Sequence, residues 1–224
     1  MVLEVIQREV STRGIGYLVL RDCPEDRLGE ALGKGMERLK KAGARQVWAA
    51  SLPEGAPLQP GPIGVWRLNH VHDMIEMSVT LGADRPHPED RLLLKPVKRA
   101  ADERVWLELA NRAFETVTGT RTYTSADFRT QNHRFGLAWQ GEKAVGVYDL
   151  DMTDKVPCLT ALAIAKDLQH QRLGRLLLLT LLEAIPKAPS CTLRVSTANE
   201  PAINLFESAG FAQIGITSSW FEVV

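Results

Sequence analysis

The sequence resembles itself at an offset of 145 residues. Residues 21–51, RDCPEDRLGEALGKGMERLKKAGARQVWAAS, align without gaps on residues 166–196, KDLQHQRLGRLLLLTLLEAIPKAPSCTLRVS. The tripeptide RLG at 27–29 coincides with RLG at 172–174, and strand-like segments flank both stretches. Each copy therefore predicts a strand, a glycine turn, a helix and a second strand, a crossover that normally joins parallel strands. The match indicates a duplication, although two unrelated crossovers of similar periodicity could also align by chance.

The stretch between the two copies predicts a domain boundary. Residues 82–91, GADRPHPEDR, combine proline, glycine and charge without apolar periodicity, which is typical of a linker. We therefore expect a partial N-terminal domain over residues 1–81 and a larger domain over residues 92–224. The chain has 224 residues and 45% hydrophobic content, which is enough for packed cores.

Residues 92–224 follow the order of a full α/β unit. A strand, RLLLKPV, precedes a helix, DERVWLELANRAF, whose apolar residues recur at helical spacing. The alternating segments RFGLAWQ and KAVGVYDLD predict a hairpin that turns at Gly141. The second copy of the repeat follows, then a helix with Asn199 as N-cap and Gly210 as its C-terminal stop, and a final strand in SSWFEVV.

The loop ahead of the leucine-rich helix has the character of an anion site. Gln169, His170 and Gln171 precede Gly174, which permits a tight turn. The first amides of a helix have no intrahelical acceptor and carry a partial positive charge, so they can hold a phosphate. An ordinary amphipathic helix with a polar start is the alternative interpretation.

Two motifs, together with the order of elements, resemble the GNAT superfamily of acetyl-CoA-dependent N-acyltransferases over residues 92–224. The first is the family's Gln/Arg-x-x-Gly-x-Gly/Ala loop, present as QHQRLG, with Arg172 where the first glycine is usual. The second is the family's Asn-x-x-Ala-x-x-Leu-Tyr/Phe-x-x-x-Gly-Phe signature. Its residues in this sequence are Asn199, Ala202, Leu205, Phe206, Gly210 and Phe211.

The resemblance implies an α/β fold with a mixed, twisted GNAT-type sheet, here preceded by an N-terminal half-copy. It also implies acetyl-CoA as acyl donor and no metal. Amides at the helix start would hold the pyrophosphate, and the strand LTALAIA would offer peptide groups to the pantetheine arm and the thioester oxygen. The implied coenzyme-binding residues are Leu162, Ala163, Ile164, Gln169, His170, Gln171, Arg172, Leu173, Gly174, Arg175, Asn199 and Phe206.

Acetyl transfer to an amine requires a proton acceptor, because the amine is protonated near neutral pH. The sequence offers several candidates and singles out none. Glu115, which follows the first helix of the domain, and Asp149 are the catalytic residues we expect. Asp151, on the same strand face as Asp149, and His133, at the start of the hairpin, are further candidates.

The proton donor for the leaving thiolate is a separate question. Many family members have a tyrosine at the position of Phe206, which has no hydroxyl. Tyr123, Tyr148 and Ser208 are possible substitutes that the sequence does not rank. A thiol pKa of about 8.5 also allows departure as thiolate, at a cost of about 2 kcal/mol relative to the thiol at pH 7.

Two functions from different classes fit these observations. The first is an N-acetyltransferase that acts on an unidentified small-molecule or peptide amine; the second is a non-catalytic coenzyme A binding module, such as a sensor or scaffold.

Lysine plus arginine equals aspartate plus glutamate, at 27 each, so we expect neither nucleic acid nor membrane as a partner. The N-terminus lacks the apolar segment of a signal peptide, and no run reaches membrane-span length, which predicts a cytoplasmic protein.

The first copy of the repeat is predicted to have lost coenzyme binding. Pro24, Glu25 and Asp26 stand where the second copy has residues 169–171. Proline removes one amide, and two carboxylates would repel a phosphate.

The second copy's helix, residues 174–185, is apolar nearly all round. Leu178, Leu179, Leu182 and Ile185 occupy the face opposite to the usual apolar stripe. Such a helix is expected to be buried on all sides, so we predict that the N-terminal half-domain or a second subunit covers its outer face.

Overall fold

The computed structural model describes residues 2–21, 23–52, 58–82, 91–185 and 188–224. They form two compact units. Unit 1 comprises Met1–Ile75, Ser196–Ala198 and Gly215–Val224, and unit 2 comprises Glu76–Val195 and Asn199–Ile214. This division differs from the predicted one, because the last ten residues belong with the N-terminal unit. Most of the predicted linker, residues 83–90, lies outside the described residues.

The first 81 residues contain more elements than the sequence predicted. The two strands and the helix of the first crossover are confirmed, whereas the other elements were not predicted. The elements are β1 (Val2–Ile6), α1 (Val10–Arg13), β2 (Ile15–Arg21), α2 (Leu28–Lys41), β3 (Gln46–Ser51), β4 (Gly61–Ile63) and β5 (Trp66–Thr80).

The remaining elements follow the predicted order. They are β6 (Leu93–Pro96), α3 (Ala100–Phe114), β7 (His133–Gln140), β8 (Lys143–Asp151), β9 (Cys158–Ile164), α4 (Leu173–Ala184), β10 (Ser190–Ser196), α5 (Glu200–Ser208) and β11 (Ala212–Val223).

The spacing of corresponding elements matches the offset of the sequence repeat. Helices α2 and α4 begin 145 residues apart, at Leu28 and Leu173. The long strands β5 and β11 begin 146 residues apart, at Trp66 and Ala212. The duplication itself stays a prediction.

Unit 1 has the strand order β1-β2-β3-β11-β5, and β4 pairs with β5. Strand β2 runs parallel to β3, with α2 as the crossover, and α2 buries a leucine-rich face against the sheet. Gly35 allows close contact, because a Cβ there would lie 2.5 Å from the Leu18 side chain. The C-terminal strand completes this unit: Ser219–Glu222 pairs antiparallel with β3, and Phe221 and Val223 join the core.

Unit 2 has the strand order β5-β10-β9-β8-β7-β6. Strands β6 to β9 form an antiparallel run, whereas β9 and β10 are parallel and joined by α4. Trp106 of α3 packs in one cluster with Val147 of β8. Leu177 of α4 lies against Gly146. Gly146 and Val147 are neighbours on β8 and therefore face opposite sides of the sheet. The two helices therefore cover opposite faces of this sheet.

The outer face of α4 is buried, as predicted. Leu178, Leu179, Leu182 and Ile185 are between 0% and 7% exposed within the single chain. The segment that leads into β6 lies against this helix: Leu92 N donates to Thr180 Oγ1 at 3.4 Å, and Arg91 pairs with Glu183 at 2.6 Å. That the N-terminal half-domain or a second subunit covers this face stays a prediction.

Among the described helices, none has the length and apolar content needed to cross a bilayer.

Candidate coenzyme and acyl-transfer site

Strands β9 and β10 separate shortly after they begin. Their parallel register comprises only Cys158 with Thr192 and Leu159 with Leu193. On its other side, β9 shifts register against β8, since Asp149 pairs with Ala161 and Leu150 with Leu159. Thr160 is the extra residue of this bulge. From Thr160 onward the edge of β9 that faces β10 is open.

Two of the three predicted residues on β9 turn their peptide groups toward this open edge. Ala165 N donates to Val145 O at 2.9 Å, and alternate residues of an antiparallel pair exchange hydrogen bonds. Ala163, paired with Val147, therefore directs its peptide groups to β8. Leu162 and Ile164 direct theirs away from β8, and the Ile164 carbonyl accepts a hydrogen bond from Gln169 Nε2 at 3.3 Å.

The predicted anion loop follows the open edge directly. A 3-10 turn, Lys166–Leu168, leads into exposed residues 169–172, and α4 begins at Leu173. Leu176 N is bonded back to Arg172 O at 3.2 Å, so the amides of residues 173–175 precede the first intrahelical bond. These amides have the geometry of an anion site, and their binding of a phosphate stays a prediction.

The backbone of the loop explains why glycine is usual at the position of Arg172. Arg172 has a φ of 63° and His170 a φ of 62°, in the left-handed region that favours glycine. Among the described residues, Asn132 is the one other non-glycine with positive φ. A left-handed arginine costs about 1–2 kcal/mol. The chain retains this strain in the loop that is predicted to hold the coenzyme.

A polar cluster lies beside the bulge, on the α3 face of the sheet. His133 Nδ1 is 2.8 Å from Asp149 Oδ2, and Thr160 Oγ1 donates to the same oxygen at 2.6 Å. Asp149 is 0% exposed, and its Oδ1 has no hydrogen-bond partner among the described residues. Burial raises the pKa of Asp149, and the bonds from Thr160 and His133 counteract that rise.

His133 is the accessible member of this cluster. Its side chain is 14% exposed, and its Nε2 lies 3.7 Å from Asp151 Oδ2. It also lines a cavity of about 550 Å³, together with Phe128, Phe135 and Arg134. The arrangement can accept a proton at the imidazole and stabilise the resulting charge with Asp149. The described residues contain no group of three His, Cys, Asp or Glu side chains positioned for a metal ion.

The model of the Acetyltransferase (GNAT) family matches residues 101–211. The chain carries an acetyltransferase domain of the GNAT family. Members of this family use acetyl-CoA, which fits the open edge of β9 and the amides of the loop. No curated protein matches the sequence.

Solved structures confirm the fold of the acetyltransferase. A GCN5-related N-acetyltransferase from Sphaerobacter thermophilus is 14% identical, with a TM-score of 0.65, and the match covers 99% of this chain and 75% of the other. A GCN5-related N-acetyltransferase from Kribbella flavida is 13% identical, with a TM-score of 0.57, over 93% and 80%. A tandem GNAT protein from the clavulanic acid biosynthesis pathway is 16% identical, with a TM-score of 0.58, over 95% and 75%. The likeness in fold thus extends over both units.

The acetyltransferase does not bring its two predicted catalytic residues together. Glu115 is exposed and lies 3.9 Å from Lys166 Nζ. Asp149 pairs with Ala161 in the middle of β9, whereas Lys166 lies beyond the end of β9, in the 3-10 turn Lys166–Leu168. Asp149 therefore lies at the bulge and Glu115 near the anion loop. The sequence did not indicate Thr160, because a bulge depends on pairing with a distant strand.

The two predicted coenzyme residues on the second motif have structural roles in the acetyltransferase. Asn199 Oδ1 accepts from Ala202 N at 3.3 Å and caps α5, as predicted. Phe206 is buried and packs on Phe211, with ring centroids 5.8 Å apart. Whether either side chain also contacts coenzyme stays a prediction.

Three candidate proton donors occupy different places in the acetyltransferase. Tyr123 Oη donates to the carbonyl of Thr160 at 3.4 Å, so this phenol reaches the bulge. Burial raises the pKa of Tyr123. Tyr148 lies on the opposite face of β8 from Asp149. Ser208 Oγ donates within its own helix, to Leu205 O at 2.7 Å.

Unit 1 lacks the corresponding opening. Strands β2 and β3 stay paired over five consecutive positions, from Ile15 with Gln46 to Val19 with Ala50. A 3-10 turn, Glu25–Arg27, leads into α2, and Arg27 has an ordinary φ of −106°. Neither an open edge nor a left-handed loop is therefore present among the described residues of this unit's crossover.

Proposed function

We propose that unit 2 transfers the acetyl group of acetyl-CoA to an amine of a small molecule or peptide, by direct attack of the amine on the thioester. One observation carries the proposal: β9 and β10 separate at the Thr160 bulge, and the open edge leads directly into the anion loop. A phosphate-bearing acyl donor can thus place its anionic end on the loop and its arm along β9.

The residues of the chain have distinct roles in this proposal. The amides of residues 173–175 hold the pyrophosphate, and the peptide groups of Leu162 and Ile164 bind the pantetheine arm. Amides near the bulge polarise the thioester carbonyl where negative charge develops. The acceptor amine approaches on the α3 face, where the polar cluster lies.

Proton removal is assigned to His133 in this proposal. Its Nδ1 is held by Asp149 at 2.8 Å, which leaves Nε2 for the proton of the attacking amine. Asp149 is fully buried and fixes the imidazole, so it acts as a positioning residue. Coenzyme A departs as a thiol or thiolate.

A thiol-release assay tests the proposal. Purified protein is incubated with acetyl-CoA and a panel of primary amines and lysine-containing peptides, and free thiol is measured over time. We expect amine-dependent release that His133→Ala lowers by about 10²-fold or more. Unchanged turnover in His133→Ala would refute the assignment of the base.

The alternative is a non-catalytic coenzyme A binding module. It is favoured by Phe206, which replaces the tyrosine of many family members and has no hydroxyl. Tight binding of acetyl-CoA without thiol release for any amine of the panel would support this alternative.

A further inference from the structure

The segment between α3 and β7 carries an arginine near the Thr160 bulge. The Cζ atom of Arg121 lies over the ring of Tyr123, 4.4 Å from its centroid. Tyr123 packs against α3, with its ring centroid 4.9 Å from that of Trp106, and its hydroxyl donates to the Thr160 carbonyl at 3.4 Å. Tyr123 therefore supports a guanidinium on the α3 face of the sheet, where the acceptor amine is expected.

Hydrogen bonds fix the segment that carries Arg121. Asn111 of α3 holds both backbone groups of Tyr123: its Nδ2 donates to the carbonyl at 2.9 Å, and its Oδ1 accepts from the amide at 2.8 Å. Asp127, which is 8% exposed, accepts from the Thr124 amide and from Arg121 Nη1, each at 2.7 Å. The guanidinium is thus oriented before any ligand binds, which lowers the entropic cost of binding.

Much of the Arg121 side chain is nevertheless accessible. It is 44% exposed, and a guanidinium has five N–H donors, of which Asp127 and Tyr123 engage only a part. Its charge also acts on Asp149, where Arg121 and His133 counteract the rise in pKa that burial causes. Arg121 and His133 therefore lie near the same buried carboxyl group.

We propose that the acceptor is an amine that also carries a carboxylate, an amino acid in the simplest case, and that Arg121 binds this carboxylate. The proposal rests on acetyl transfer by unit 2 with His133 as the base. A planar guanidinium pairs with a carboxylate through two parallel N–H···O bonds, which an amine without an acidic group cannot form. Because Arg121 and His133 lie near the same side chain, a carboxylate on Arg121 leaves the amine of a small acceptor within reach of His133.

Matched substrates isolate the contribution of the carboxylate. By thiol release, kcat/KM is measured for a set of amino acids and for the corresponding amino-acid amides, which have NH2 in place of one carboxylate oxygen. We expect kcat/KM of Arg121→Gln to fall at least about tenfold more for the acids than for the amides, mainly through KM. The comparison is made between proteins for each substrate, so differences in amine basicity between acids and amides cancel.

Two further variants complete the series. Arg129→Gln removes an exposed arginine of the same segment, at the end of the 3-10 turn Asp127–Arg129, and should change kcat/KM equally for acids and amides. Arg121→Lys keeps the charge but loses the planar fork, so its selective loss toward acids should be smaller than that of Arg121→Gln and larger than that of Arg129→Gln. Arg121→Lys decides the question by itself if Arg121→Gln does not fold.

The outcomes distinguish this proposal from the proposed function. No thiol release with any acid, amide or other amine would refute both. An equal loss for acids and amides in Arg121→Gln would overturn this proposal and leave acetyl transfer intact, because that result shows that Arg121 only holds the segment in place. Turnover of amides but of no acid would also overturn it, as would a selective loss in Arg129→Gln as large as that in Arg121→Gln.

Discussion

At the scale of single residues, the proposed site contains a carboxyl group that is fully buried, Asp149. Asp149 has a hydrogen bond from Thr160 and a contact with His133, yet its Oδ1 lacks a partner among the described residues. Desolvation penalises the charged form of such a group. The ionised form of Asp149 therefore costs stability, which the proposed function explains by its role in positioning His133.

The pH dependence of stability tests this assignment. Burial raises the pKa of Asp149 in the folded protein, so its contribution to stability is largest at low pH and is lost as pH rises through the folded pKa. Asp149→Asn removes this titration. We expect the variant to gain stability relative to wild type as pH rises: its free energy of unfolding minus that of wild type should be larger at pH 7.5 than at pH 4.5, as measured by urea denaturation. A difference independent of pH would contradict the assignment.

Tyr123 offers a second test at this scale. Its phenol reaches the Thr160 carbonyl at the bulge, where the leaving thiolate is expected. Tyr123→Phe keeps the ring and removes the hydroxyl, so kcat should fall about tenfold or more if this phenol donates a proton. Tyr148→Phe, on the other face of β8, is the matched control and should change kcat less than twofold. Equal effects of the two substitutions would exclude a specific role for Tyr123.

At the scale of elements, the two similar crossovers differ in strand pairing, and this difference is the basis of the proposed coenzyme site. Strands β2 and β3 pair over five positions, whereas β9 and β10 pair over two and then separate. The peptide groups that unit 1 uses for its sheet correspond to those that unit 2 leaves unpaired and that the proposed function assigns to the coenzyme. The proposed site therefore requires separated strands in addition to a crossover motif.

Substitution of Gly174 tests the start of α4. A Cβ at this position would meet Leu205 at 3.5 Å, an ordinary contact, so the fold tolerates Gly174→Ala. Gly174→Glu adds a negative charge beside the expected pyrophosphate. We expect Gly174→Glu to weaken acetyl-CoA binding at least tenfold and Gly174→Ala to change it less than threefold, by calorimetric titration. Equal affinity of the Glu variant and wild type would refute coenzyme binding by this loop.

At the scale of the whole molecule, the C-terminus of the chain completes the N-terminal unit. Residues 215–224 belong to unit 1, and Phe221 and Val223 are part of its core. The boundary predicted from the sequence, at residues 82–91, would instead assign Phe221 and Val223 to the C-terminal domain. The stability of unit 1 therefore depends on residues that lie far away in sequence.

Hydrogen exchange distinguishes the two divisions of the chain. Phe221→Ala removes a side chain that is 3% exposed, at a cost of about 3–5 kcal/mol. We expect amide exchange to accelerate in β2 and α2 of unit 1, as followed by mass spectrometry. Val224→Ala, at a residue that is 53% exposed, is the control. Acceleration confined to residues 92–185 would contradict the assignment of Phe221.

The stoichiometry of coenzyme binding is a further prediction for the whole molecule. The described residues of unit 1 show neither an open strand edge in its crossover nor the left-handed loop, and Pro24 and Asp26 precede its helix. Titration with acetyl-CoA should therefore saturate at one equivalent per chain. Two equivalents at saturation would show that unit 1 also binds.

Local sequence determined much of this protein. Strand alternation, helix periodicity and capping residues are short-range signals, so the hairpin, both crossovers, the Asn199 cap and the loop before α4 were predictable. The two motifs were sufficient to indicate the family and the loop that is expected to hold the coenzyme.

Tertiary structure decided what depends on pairing between distant segments. The Thr160 bulge and the contact between His133 and Asp149 arise from the register of β7, β8 and β9, which local propensity does not set. The same holds for β11, whose pairing with β3 assigns the end of the chain to unit 1. Hydrogen-bond register and long-range packing are selected by the whole fold, so the acid that adjoins the bulge and the true extent of each unit emerge only when the strands assemble.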